Sequence, residues 1–349
     1  MSKSSRTLRQ LAVALAAAAL AGACGGGADG EAAPGTGGRL RVVATTGMVA
    51  DAARRVGGDR ADVVALMGPG VDPHLYKASE GDVSRLTAAD LVLYNGLHLE
   101  GKMGDVLVKL ARSKPVVAVS ETVPQTELRE PPEFAGQYDP HIWFDVRLWS
   151  ATLDAIAAAY AEVDPAHADA YRQNAEAYRQ ELLELDAWVA QRVAEVPPER
   201  RILVTAHDAF GYFGRAYGLE VRGVQGISTV SQAGVKDIED LTRFIVERRL
   251  PAVFVETSVS DKGVQKLVEG ATQRGHAVTL APAIFSDSTG PAGTFEGTYL
   301  GMIDHNVTVI ARALGATGVD VHGTFGRLTV GHDHGHEDSG DAGHEDHDR

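Results

Sequence analysis

Between residues 165 and 196 the apolar positions Tyr171, Ala175, Tyr178, Leu182, Leu185, Val189, Val193 and Val196 recur at steps of four and three, the spacing of one buried stripe on an α-helix. Asp164 ahead of Pro165 reads as its start, a capping residue followed by a proline in the first turn, and Pro197-Pro198 reads as its stop. Such a helix runs ~45 Å at ~1.5 Å per residue, so it reads as a stiff spacer between two halves. On both sides, short β-branched runs alternate with helical spacing. The first half predicts strands at 41–46, 62–67, 91–94 and 116–119, with helices ending near 56 and spanning 79–88, 101–111 and 148–162. The second predicts strands at 202–205, 220–224, 252–256 and 278–281, with helices at 209–217, 233–249, 261–274 and 298–314. This alternation predicts an α/β fold of two lobes, residues 39–164 and 197–318, each with a parallel sheet flanked by helices and joined by one long backbone helix, 165–196.

The ends break the pattern. Lys3, Arg6 and Arg9 precede an apolar run from Leu11 to Ala21, too short to span a bilayer, and Leu20-Ala21-Gly22-Ala23-Cys24 follows. Residues 1–23 therefore read as a signal peptide of lipoprotein type, with Cys24 lipidated as the first mature residue; the alternative is a plain secretory signal cut near Ala23. Cys24 is the single cysteine, so no intrachain disulfide can form in an exported chain, and lipid explains its position better than redox chemistry. The Gly- and Ala-rich stretch 24–38 reads as a flexible tether; its Gly25, Gly27 and Gly30 match a nucleotide-loop spacing, but no strand precedes them and no helix follows. Residues 319–349 shift to His, Asp, Glu and Gly, with His332, His334, His336, His344 and His347, and lack the apolar area to fold. Loose metal capture and a solvated acidic tail are both compatible with that composition.

The 349 residues carry a formal net charge of −14 and no basic cluster, which argues against nucleic acid and suits cations. The candidate chemistry starts from a repeated tripeptide, Asp72-Pro73-His74 and Asp139-Pro140-His141. Each copy follows a strand-rich stretch, and ligands of open α/β sheets collect at the carboxyl ends of strands. A polar turn is the bland reading of one copy; two rigid copies in one lobe suggest convergence. In the second lobe His207 ends an apolar run, with Asp208 beside it as a natural cap for the next helix, and Asp287 lies in the loop after the last strand. Together His74, His141, His207 and Asp287 supply three imidazole nitrogens and one carboxylate, a suitable set for a four-coordinate divalent metal ion with two ligands from each lobe.

Five ordered motifs carry a resemblance over roughly residues 40–315. They are Gly70-Val71-Asp72-Pro73-His74-Leu75-Tyr76, Asn95-Gly96-Leu97-His98-Leu99-Glu100, Asp139-Pro140-His141-Ile142-Trp143, His207-Asp208-Ala209-Phe210-Gly211-Tyr212-Phe213 and Ser286-Asp287-Ser288. The chain resembles the metal-binding solute-binding proteins of zinc and manganese ABC importers, whose two lobes are joined by one long rigid helix. The resemblance implies that His74, His141, His207 and Asp287 are metal ligands, and that a membrane permease and its ATPase are partners. Manganese-preferring members commonly carry a carboxylate at the third position; His207 resembles the zinc-preferring members. Many zinc members also carry a His-rich loop in the first lobe, whereas residues 121–138 contain no histidine and the His-rich tract stands at the C-terminus. His98 lies inside a motif but reads as part of a loop capping the next helix, and Asp72, Asp139, Asp208 and Glu256 are candidates for orienting the imidazoles.

The expected function is capture of Zn²⁺ in the interlobe cleft and delivery to a permease, by a monomer lipid-anchored through Cys24 to the outer face of a bacterial membrane, or periplasmic. Mn²⁺ or mixed-metal uptake is the alternative within the class. A surface adhesin or storage protein would use the same anchor and tail. A zinc-dependent hydrolase is the enzymatic alternative, but four protein ligands leave little room for an activated water, and no H-E-x-x-H, G-x-S-x-G or Walker A sequence occurs. The chain is therefore expected not to be an enzyme.

Overall fold

Strand β1 (Leu40–Ala44) is apolar on both faces, with Val42, Val43 and Ala44 all buried, as a parallel strand covered on both sides must be. Helix α1 (Gly47–Gly57) follows, capped by Thr46, whose hydroxyl accepts the Val49 N–H at 3.4 Å. Strand β2 (Ala61–Ala65) pairs parallel with β1, Leu40 opposite Ala61. Helix α2 (Glu80–Ala88) begins at a reciprocal cap in which Ser79 Oγ accepts the Asp82 N–H and the Asp82 carboxylate accepts the Ser79 N–H. Strand β3 (Leu91–Tyr94) joins the other side of β1; after the short α3 (Gly104–Leu110), β4 (Val116–Ala118) lies outside β3. The order β2-β1-β3-β4 reverses direction at β1, so the connections leaving β1 and β3 diverge and open a crevice at the carboxyl ends.

The computed structural model describes residues 38–134, 136–317 and Phe325. The expected signal segment and lipidated Cys24, the tether up to residue 37, and the His-rich tail lie outside the described residues.

Helix α4 (Val146–Val163), capped by Asp145, leads through a 3₁₀ turn at Pro165–His167 into α5 (Ala168–Ala194), 27 residues long. The buried face of α5 is the expected stripe plus Trp188, three residues after Leu185 and beside Val189. Asp164 does not cap this helix: its carboxylate accepts instead from the Tyr171 hydroxyl and the His167 ring, each at 2.7 Å. Nor is α5 a bare rod. It packs along α4 and against α1, and its aromatic face belongs to a hydrophobic cluster that runs from Val42 in the first sheet to Phe254 and Ile284 in the second half. That shared layer restrains how the halves can move.

In the second half β5 (Ile202–His207) pairs parallel with β6 (Glu220–Gln225), and β7 (Ala252–Glu256) with β8 (Thr279–Ile284). Helices α6 (Gly211–Tyr217), α7 (Val235–Glu247), α8 (Lys262–Gln273) and α9 (Tyr299–Ala313) intervene or follow. The parallel sheet is thus built as two pairs, with no ladder joining β5 to β7 among the described residues, although the two strands lie side by side. Alternate β5 residues face different layers: Ile202 and Val204 meet α7 and α8, while Leu203 joins the shared layer. Strand β8 runs past Pro282, where a loop was expected; a register shift opposite Phe254 and Glu256 accommodates the proline, which has no N–H to give the ladder.

Candidate metal centre

His74, His141, His207 and Asp287 each reach the crevice from a different connection. His74 follows the turn after β2, in which Gly70 takes a left-handed φ of 73° and donates its N–H to Ser288 Oγ of the second half at 2.9 Å. His141 sits in the loop before α4, followed by a tight turn at Ile142–Phe144. His207 is the last residue of β5, and Asp287 lies three residues beyond the end of β8. All four are buried, and one donor atom from each lies within 4.8 Å of the others.

The closer separations carry the argument. His74 Nε2 lies 3.3 Å from His141 Nε2 and 3.7 Å from Asp287 Oδ2. His141 Nε2 lies 3.4 Å from Asp287 Oδ1, and His207 Nε2 lies 3.3 Å from Asp287 Oδ2. Donors at the corners of a tetrahedron with bonds of ~2.0–2.1 Å stand ~3.3–3.4 Å apart; three of these four gaps fall in that range, the His74–Asp287 gap is wider, and Asp287 turns Oδ1 to His141 and Oδ2 to the other two rings. The two imidazoles of His74 and His141 are within hydrogen-bond reach of each other, but the three approaches to Asp287 are ion-pair contacts rather than aligned hydrogen bonds: His207 Nε2 and both Asp287 oxygens are buried with no hydrogen-bond partner. Buried polar atoms are nearly always paired, and a carboxylate left so is costly, which fits a group whose partner is a cation.

Away from the centre, the rings are held unequally. Asp139 Oδ1 accepts both the His141 backbone N–H at 3.0 Å and its ring Nδ1–H at 2.7 Å. Glu256, at the end of β7, does the same for His207, accepting the backbone N–H at 2.8 Å and Nδ1–H at 2.5 Å. These bonds fix the tautomer and aim Nε2 inward. Asp72 accepts only the His74 backbone N–H at 2.9 Å and gives its other oxygen to the Thr229 hydroxyl of the second half at 2.6 Å.

The proton preferences follow. Burial pushes His74 down to about 3, despite the charge of Asp287. Burial acts the same way on His141, but its hydrogen bond to Asp139 and the Asp287 carboxylate override it and raise the ring to about 9. His207 is also raised, because Glu256 and Asp287 outweigh its burial. Asp287 is held well below the carboxylate range by the adjacent His207 and His141, again against burial.

Of the candidates for orienting a ring, Asp139 and Glu256 do so and Asp72 reaches only backbone. Asp208 holds no imidazole and does not cap α6, which starts after Phe210; burial, then the nearby Asp139, pushes its carboxyl up to about 6. His98 stands outside the set, exposed, at a left-handed φ of 65°, and lines with His74 a cavity of about 330 Å³. Glu100 does not cap the next helix but pins the loop, accepting the N–H groups of Asn95 and Gly96 and the Thr45 hydroxyl. His167, His276 and His305 are used structurally, on Asp164, Leu250 O and Ala283 O. Two residues have roles that the sequence motifs did not assign. Trp143 donates Nε1–H to Ser286 O at 3.0 Å, seating the Asp287 loop, and Arg129 pairs with Asp139. The Trp143 signal was its place two residues after the second Asp-Pro-His; Arg129 gave none.

Two α/β lobes with a buried three-imidazole, one-carboxylate centre where their loops meet define an ion-binding protein of the substrate-capture class. The chain belongs to the ZnuA family, described as zinc-uptake complex component A, periplasmic, whose profile matches residues 42–313; it is a metal-binding substrate-binding component of an ABC importer. It is 49% identical to the manganese-binding lipoprotein MntA of Bacillus subtilis (strain 168) over 276 residues, 79% of this chain and 90% of that one. It is also 49% identical to the zinc-binding protein TroA of Treponema pallidum (strain Nichols) over 277 residues, 79% and 89% of the two chains. The solved structure of the periplasmic zinc-binding protein TroA from Treponema pallidum superposes with a TM-score of 0.77, covering 79% of this chain and 99% of that one. Among the described residues no helix is long and apolar enough to cross a membrane.

Proposed function

We propose that this chain captures Zn²⁺ through His74, His141, His207 and Asp287 and delivers it to the permease and ATPase of its importer. The observation behind the reading is the set of donor separations of 3.3–3.7 Å around oxygens and a nitrogen with no other partner. Three imidazoles favour Zn²⁺ over Mn²⁺, since nitrogen donors follow the stability order in which manganese stands lowest. Four protein donors complete a tetrahedron, which favours holding an ion over activating water on it. Manganese uptake is the second reading, because MntA, a relative as similar as TroA, is a manganese-binding lipoprotein. The proposed setting is an exported monomer, anchored by lipid on Cys24, with lobes at 39–164 and 197–318 about the linking helix 165–196.

His74, which lines a cavity that the other three do not, meets the ion first in this reading; the ring-fixed His141 and His207 then complete the sphere with Asp287. The test is a chelator-competition titration of the full chain with Zn²⁺ and with Mn²⁺, the chelator strong enough to silence weak sites in the tail. One tight zinc that excess manganese does not displace, lost on His207→Ala, is the expected result. Equal retention of manganese moves the assignment to manganese; unchanged affinity in His207→Ala removes that ligand.

A further inference from the structure

Arg129, in the loop between β4 and α4, reaches out of its own half. Its backbone N–H donates to the Tyr212 hydroxyl of α6 at 3.0 Å, and that hydroxyl donates to the Asp139 carbonyl at 3.0 Å. Its guanidinium donates to Asp139 Oδ2 and lies 5.6 Å from the Tyr212 ring centroid. It also fills the space above Gly211, the first residue of α6: a Cβ there would stand 1.4 Å from Arg129 Nη1 and 2.2 Å from Cζ. Gly211 is not among the glycines with left-handed backbone, so its lack of a side chain serves this approach rather than a turn. Asp139 is fully buried, and its other oxygen is the one that holds the His141 ring at 2.7 Å. One carboxylate is thus shared between an arginine seated on α6 and an imidazole aimed at the centre.

We propose that Arg129 is a positioning residue: seated between Asp139 and the start of α6, it fixes the His141 ring and thereby couples closure of the second lobe to retention of the ion. The inference rests on the ligand role given to His141 above. Without the guanidinium, Asp139 Oδ2 is buried with no donor and the carboxylate can rotate, taking the His141 ring off aim. Withdrawal of α6 has the same effect, since the Tyr212 hydroxyl and the Gly211 seat leave together. Arg129 does not line the cavity beside His74, so the expected consequence lies in release.

The test is stopped-flow release of Zn²⁺ from the full chain into excess chromophoric chelator, with association followed separately. Arg129→Ala is expected to release about 10–100-fold faster, the usual effect of removing support behind a ligand, with association within about twofold of the unaltered protein. Arg129→Lys is expected to fall between the two. Gly211→Ala, which keeps Arg129 but evicts its guanidinium, should match Arg129→Ala, and the double variant should be no faster than either. If Arg129→Ala does not fold, Gly211→Ala and Arg129→Lys carry the test. Release at the unaltered rate in every folded variant overturns the proposal, as do Gly211 and Arg129 effects that multiply. Tight zinc retained by His141→Ala, by contrast, defeats the ligand assignment on which the inference rests.

Discussion

The two Asp-Pro-His copies are identical in sequence and alike in backbone, each Asp accepting the N–H of the His two residues on, yet their rings do different work. In the second copy Asp139 also holds the ring, and its remaining oxygen goes to Arg129. In the first, Asp72 spends its remaining oxygen on Thr229 across the crevice and leaves the His74 ring unheld, and His74 lines a cavity. One ring is raised to about 9 and the other lowered to about 3. The local motif sets the turn; what packs behind the ring decides whether it is a neutral donor ready for an ion or a protonated one that the ion must displace.

Removing the group both copies face should have the largest effect. Asp287→Asn takes the single carboxylate from between three imidazoles, and breaking a buried charge pair costs about 3–5 kcal/mol, on the order of a thousandfold in zinc affinity. Chelator competition reads it; a loss below tenfold would mean that Asp287 is not a donor and that the copies converge on something else.

Acidity comes next. His141 and His207 are raised, so near neutral pH the cluster binds protons that an ion has to expel, and His74, already neutral above about pH 4, adds nothing. Affinity should therefore rise with pH through the range up to about 9 in which His141 gives up its proton, and fall as the pH drops, by up to about tenfold per pH unit for each proton displaced. Calorimetry at neutral pH in buffers of different ionisation enthalpy should find at least one proton released per zinc. Release of none erases the contrast between the rings.

The smallest effects test the contrast directly. Asp139→Asn weakens the bond that fixes the His141 ring and should cost about 10–100-fold in affinity. Asp72→Asn still accepts the His74 N–H and still meets Thr229, so a change of no more than about threefold is expected, within the range of surface-like substitutions. Equal losses in the two variants would show that the tripeptides act alike.

Much of this was legible along the chain. Strand and helix alternation, the stripe on α5 and the five motifs identify an α/β member of a metal-capture family, because periodicity and turn chemistry are local. The four residues that meet in the crevice were also nameable from their motifs: His207 ends β5, and the other three lie in connections that follow strands, where open sheets gather their loops. Other features were not. Whether Asp164 and Asp208 cap helices depended on competing partners: the Tyr171 hydroxyl and the His167 ring claim the first, and a 3₁₀ turn or late helix start removes the site. That Glu256 rather than Asp208 steadies His207 follows from β7 lying beside β5, a neighbour 49 residues away in the chain. The unlike fates of the two Asp-Pro-His copies, the reach of Arg129 to Gly211, and the opposite proton preferences of His74 and His141 exist only once the lobes are packed. Burial and through-space charge act on distances in the folded molecule, and those distances have no counterpart in the order of residues.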